Sequence, residues 1–254
     1  MTPRARLAVF ALAAVGLAAL LVWGLAGLPR FGDYEGRYGR IIARDTVPQR
    51  KATDAVGVTT FDYRGIDTLG EEFILLVSVV GVMALLRAHR EETDESRARA
   101  QELERIRKAP LPSESLTLLG QTLAPIVLVL GIYVVAHGHL TPGGGFQGGV
   151  VLAAALLVLY LTTGRTAFRR LRAVAAFEAV EALGALGYAL IGVGGLIAGA
   201  QFLHNFIPHG HSGLLTGGTV PLANVSVGFA VAGAIATLLS EMLDQDLLRS
   251  RGGR

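Results

Sequence analysis

Four acidic side chains stand where an otherwise apolar chain could do ion chemistry: Asp67, Glu71, Glu178 and Glu181. The first two belong to Phe61-Asp-Tyr-Arg-Gly-Ile-Asp-Thr-Leu-Gly-Glu71, which runs directly into a short apolar stretch, Phe73 to Leu86. Thr68 and Glu71 have capping-box spacing, in which the hydroxyl takes a first-turn amide proton and the carboxylate folds back to the cap amide. A helix start also favours negative charge, so Asp67, Glu71 and Glu72 have a purely structural reading as capping residues. The competing reading comes from length. Fourteen residues rise only about 21 Å, short of a hydrocarbon core of about 30 Å. The flank carrying Glu71, and after it Glu72, then lies at or inside the apolar boundary, where an acid faces protein or a water-filled path. Glu178 and Glu181 are three apart on one helical face. Inside a membrane they form a proton or cation site; alternatively Ala182 to Leu203 spans without them and leaves the pair at the interface beside Arg169, Arg170 and Arg172.

A second signature is His137-Gly-His-Leu-Thr-Pro-Gly-Gly-Gly-Phe-Gln-Gly-Gly149. Pro142 suits the first turn of a helix, because its missing amide proton would be unpaired there anyway. Gly144 with Gly148, and Gly145 with Gly149, have the spacing that lets helices approach backbone to backbone. The other reading of Gly143, Gly144 and Gly145 is a locally unwound segment lining an ion or water path. No Gly-Lys-Ser/Thr follows, so a phosphate loop is excluded. His137, His139, His204, His209 and His211 lack an accompanying carboxylate or Cys at ligand spacing and read as loop histidines, with no metal site. Zero Cys removes disulfides, thiolate metal sites and Cys nucleophiles. No nucleophile elbow or paired glycosidase acids appear, and no cofactor is expected; the reading is of a non-enzyme.

The elements that position these residues follow from apolar blocks. Of 254 residues, 52% are hydrophobic and 17% charged, too apolar in long runs for one soluble domain. Spans are expected at Leu7–Leu28, Phe73–Leu86, Leu116–Ala136, Gly143–Thr163, Ala182–Leu203 and Leu222–Leu239. The fold class is therefore an all-α polytopic membrane protein with about six transmembrane helices. The first span, longer than a signal-peptide core and without a convincing cleavage site, reads as a retained anchor. Sixteen of the 23 Lys and Arg fall in alternate segments that share a side with the N-terminus, which places both termini in the cytoplasm. The net charge of +3 reflects those loops, not a nucleic-acid footprint. Glu95 with Arg99 and Glu104 with Lys108 are helix pairs in a charged linker that ends at Pro110 and Pro112. Glu241, Asp244 and Asp246, past the last span, read as solvated. The expected organisation is a two-helix module over 1–90, a linker over 91–114 and a four-helix module over 115–254.

These two signatures carry a family resemblance. Glu114 to Gly164, centred on Pro142-Gly-Gly-Gly-Phe-Gln-Gly-Gly149 and continuing to about Leu243, resembles the B subunit of the Mrp-type sodium/proton antiporters. Asp62 to Glu71 resembles the C-terminal tail of their large A subunit and the small E subunit of membrane-bound hydrogenases. The chain thus resembles a fusion of two neighbouring pieces. The resemblance implies a multisubunit monovalent cation/proton antiporter of a bacterial inner membrane, with other antiporter subunits, sodium, protons and the bilayer as partners. It assigns Pro142, Gly143, Gly144, Gly145 and Phe146 to the B-subunit signature and Asp67 and Glu71 to the acidic helix start. No Lys lies in an expected span, which agrees with an accessory role that supports assembly and lines part of an ion path. The alternative is a membrane-arm subunit of an energy-converting hydrogenase or respiratory complex.

Overall fold

The computed structural model describes residues 3–28, 32, 36–91, 113–171, 174–210 and 213–249. The charged linker, its two helix pairs and His211 lie outside the described residues. The contacts divide the chain into Met1–Ile41 and Ile42–Arg254. In the first unit, helix α1 (Pro3–Ala26) is apolar all round beyond Arg4 and Arg6, and none of its span is buried. A helix without a polar face fits hydrocarbon rather than water.

In the second unit every regular element described is helical. Helix α2 (Arg37–Arg50) begins in the first unit and ends here. The single turn α3 (Ala55–Val58) is capped by Asp54, whose carboxylate accepts from the amides of Val56 and Gly57 at 3.1 Å. A π-helical turn (Thr59–Tyr63) leads into α4 (Gly65–Glu91). Then come α5 (Glu114–Ala136), capped by Ser113, α6 (Gly145–Leu171), α7 (Val174–Ile197) and α8 (Val220–Arg249). With α1, the long helices supply six segments of span length. Large apolar side chains face outward along them, such as Ile74, Val77 and Val80 on α4 and Leu118, Ile126 and Val129 on α5. Contiguous exposed apolar surface of this kind is a liability in water and is solvated by lipid tails.

Helix α8 is the centre of the unit: 56% of its span is buried, against 33% or less in the other five. It packs on α4, α5, α6 and α7. The main core joins Phe61, Tyr188, Val220, Ala223, Val227 and Val231, and a second cluster joins Val79 and Met83 of α4 to Ala234.

The fifth span differs from expectation. The helix covers Val174–Ile197, not Ala182–Leu203. Gly199 and Leu203 take positive φ values of 77° and 62° and turn the uncharged residues 198–203 out of the helix. Glu178 and Glu181 therefore lie inside a span-length helix. Two helix starts also differ. Helix α4 begins at Gly65, so Thr68 is already within it, and its hydroxyl donates to the Thr60 carbonyl at 2.8 Å instead of closing a capping box with Glu71. Pro142 precedes the first turn of α6, which starts at Gly145.

Candidate functional site

The inner stripe of α4 is Thr68, Glu72, Val79 and Met83, with Leu75 partly buried between them. These positions recur at three, four and seven residues, the spacing of one helical face. Glu72 is thereby turned inward. It is 2% exposed, and neither carboxylate oxygen has a hydrogen-bond partner. Glu181 of α7, a helix that packs on α4, is 4% exposed, and its Oε1 also lacks a partner. Glu71, about 100° round the helix from Glu72, is exposed.

Glycines hold Glu181 in place. A Cβ on Gly233 of α8 would fall 2.5 Å from the Glu181 amide nitrogen, and one on Gly184 would fall 2.5 Å from the Ser226 carbonyl. Only a bare backbone permits α7 and α8 to cross this closely. Two turns beyond Glu181, Tyr188 is fully buried; its hydroxyl donates to the Gly65 carbonyl at 2.8 Å, and its ring meets Phe61 at 6.3 Å. This bond ties α7 to the start of α4.

The glycine signature sits on another face of α8. Gly143 and Gly144 have φ of 148° and 129°, so the chain is unwound there before α6 begins. The first amide of α6, on Gly145, donates to Asn224 Oδ1 at 2.8 Å, while Asn224 Nδ2 donates to the Val220 carbonyl at 3.2 Å. A buried side chain of α8 thus supplies the cap that Pro142 does not. Gly145 and Gly149 lie against Asn224, Val227 and Val231 of α8, Gly148 lies against Val135 and Gly131 of α5, and Phe146 packs on the main core.

At the loop end, Asp62 accepts from Asn205 Nδ2 at 2.9 Å and pairs with Arg50, whose guanidinium lies over Tyr63. Asn205 also bonds Gly217 and Thr219, so one carboxylate links α2, the π turn and the approach to α8. His139 is fully buried, and burial holds its imidazole below the ordinary pKa; the same cause acts on His209. No cluster of metal-ligating side chains occurs among the described residues.

The match to known proteins falls into two parts. Residues 115–237 match the family described as a domain related to the MnhB subunit of Na+/H+ antiporter, and residues 4–103 match the family of the E subunit of MBH. An uncharacterised protein of Methanocaldococcus jannaschii is 33% identical over 70% of this chain and 72% of its own length. Residues 115–237 therefore make up an MnhB-related domain. The B subunit of a Na(+)/H(+) antiporter of Bacillus subtilis is 38% identical over 32% of this chain and 57% of its own. Among solved structures, a chain of the Mrp complex from Dietzia sp. has the same fold (TM-score 0.66, 24% identity), covering 95% of this chain and 26% of that one. A chain of the membrane-bound sulfane sulfur reductase, an archaeal respiratory membrane complex, has TM-score 0.64 and 28% identity, covering 95% of this chain and 99% of that one.

The MnhB-related region contains the glycine signature, Glu178 and Glu181; the MBH-related region contains Asp67, Glu71 and Glu72. Of the four acids singled out in the sequence, the structure brings Glu181 to the buried site. Asp67 forms an exposed ion pair with Arg64 at 2.5 Å, Glu71 is exposed, and Glu178 is half-buried one turn before Glu181. Glu241 is 5% exposed and not solvated. Glu72, placed behind Glu71 in the sequence reading, is the inward carboxylate of that pair. Its signal was the helical phase of Thr68, Leu75 and Val79. Asn224 carried a plainer one, a polar side chain within an apolar span.

Proposed function

We propose that this chain is a membrane subunit of a multisubunit monovalent cation/proton antiporter, and that it contributes the carboxylates of Glu72 and Glu181 to the ion path. The observation that carries the reading is two buried carboxylates with unmade hydrogen bonds on helices that pack together, Glu72 in the MBH-related region and Glu181 in the MnhB-related region. Leaving an ionised carboxylate dry and unpaired costs several kcal/mol, so a pair kept inside span-length helices is accounted for by occupancy with protons, a cation or water. The identity to the B subunit of a Na(+)/H(+) antiporter supports the same reading. The chain spans 57% of that relative and 26% of the Mrp chain, so sodium, protons, partner subunits and a bacterial inner-membrane location belong to this proposal. So do cytoplasmic termini and a boundary between the two modules near residue 110. The chain acts as a transporter subunit rather than an enzyme.

A second reading, a membrane-arm subunit of a respiratory complex, is favoured by the match over 99% of a chain in the sulfane sulfur reductase. Purifying the intact complex from its native membrane and reconstituting it separates the two. The antiporter reading expects an imposed sodium gradient alone to drive proton movement, with Glu181→Gln reducing it. Proton movement that requires an electron donor and ignores the sodium gradient would establish the second reading.

A further inference from the structure

The surroundings of the acid pair differ between its two sides. Toward the loops the route is closed. Tyr188 is fully buried with its hydroxyl proton committed to Gly65, Thr68 is buried with its proton committed to Thr60, and Phe61, Val220 and Val227 are buried in one core cluster with Tyr188. Toward the opposite end of the bundle, where α7 begins and α8 finishes, Thr237 and Ser240 are fully buried and neither hydroxyl has a hydrogen-bond partner. A buried hydroxyl left unmade costs about 1–3 kcal/mol, and buried polar groups of this kind are normally met by internal water.

The two hydroxyls are in line with the acids. Ser226, Ala230 and Gly233 form the face of α8 on which α7 rests, and Gly233 touches the Glu181 backbone. Thr237 and Ser240 continue that face one and two turns further along. Helix α7 runs opposite to α8, since Gly187 meets Ser226 while Phe177 meets Gly233. Moving from Gly233 to Ser240 therefore passes from Glu181 toward Glu178 and the start of α7. Glu241, also buried, stands beside Ser240 on α8.

We propose that the Glu72–Glu181 pair exchanges protons with one side of the membrane only, through Thr237, Ser240 and intervening water, while Tyr188 and Thr68 seal the other side. The inference rests on the ion-path reading of the pair. Each hydroxyl accepts a proton on a lone pair and releases its own from the other side, so it ends unchanged and neutral, and the proton passes on to a glutamate oxygen.

The test is infrared spectroscopy of the reconstituted complex with deuterium oxide as probe, following the carboxylic-acid band that Glu72→Gln or Glu181→Gln removes. Thr237→Val with Ser240→Ala should slow deuterium exchange of that band by about tenfold or more, the order of effect of losing a placed proton-transfer group. Each single substitution should slow it less and Thr237→Ser should restore it, whereas Tyr188→Phe, which removes a sealing hydroxyl, should not slow it. Exchange at the wild-type rate in both single variants and the double variant would overturn the one-sided route, as would equal slowing by Tyr188→Phe. If neither glutamine substitution removes a carboxylic-acid band at any pH of a titration series, the acid-pair reading fails and the route fails with it.

Discussion

Two faces of α8 teach different things about one helix. Against α6 it meets glycine: Gly145 and Gly149 bring the backbones together, and Asn224 caps the incoming helix with both ends of its amide used. Against α7 the close approach again uses glycine, Gly184 on α7 and Gly233 on α8 itself, yet here it lies beside carboxylates and hydroxyls whose hydrogen bonds are unmade. The first face is satisfied and its role is packing. The second carries unmet polar groups at a cost of several kcal/mol, which the packed face must offset.

Breaking the packed face should have the largest effect. In Gly145→Leu a Cβ alone would sit 2.5 Å from the Asn224 carbonyl oxygen and 2.7 Å from Val227 Cβ. The substitution leaves the span as apolar as before, so insertion should persist while the bundle loosens by more than the usual overpacking cost of about 1–3 kcal/mol. The check is membrane abundance against co-purification with partner subunits: the chain should be present in membranes and lost from the complex.

A smaller effect is expected from Asn224→Leu, which removes the cap but keeps the volume. The Gly145 amide is then buried without an acceptor, at about 1–3 kcal/mol. A lowered thermal midpoint of the detergent-solubilised complex, with sodium-proton exchange per assembled complex unchanged, would show that this face packs and does not conduct. Loss of exchange from a stable complex would place the ion path on the glycine face instead.

The smallest effect concerns His139, at the loop end of the same face. Its folded pKa is depressed by burial, so the unfolded chain binds the proton more readily. The stability from keeping this ring neutral is complete above about pH 6.5 and is lost as pH falls below that value toward the folded pKa. Thermal midpoints measured over a pH series should fall on acidification, and His139→Gln should flatten part of that fall.

Much of the fold could be read from apolar runs, because a bilayer demands about 20 apolar helical residues and little else resembles that pattern. The fifth span could not be placed that way. A search for uncharged residues rejects the turn carrying Glu178 and Glu181 and accepts Ala198 to Leu203, whereas the helix buries the acids against glycines on α8 and ends at Ile197. The same rule began the second span at Phe73, one residue beyond Glu72. The capping-box spacing of Thr68 and Glu71 was real but local: the π turn before Gly65 starts the helix earlier and takes the Thr68 hydroxyl for the Thr60 carbonyl. Choosing between Glu71 and Glu72 needed the helical phase, which Val79 and Met83 settle by packing on Ala234.

These adjacent acids supply the most direct test of the ion path. Glu71→Gln and Glu72→Gln remove one charge each from the same helix, and glutamine keeps the size of either side chain. Sodium-dependent proton exchange in everted vesicles, normalised to assembled complex and measured over a pH and sodium series, should fall by about tenfold or more in Glu72→Gln. In Glu71→Gln, which alters an exposed carboxylate, it should stay near the wild-type level. Full exchange from a fully assembled Glu72→Gln complex, or a loss confined to Glu71→Gln, would contradict the placement of the path at Glu72.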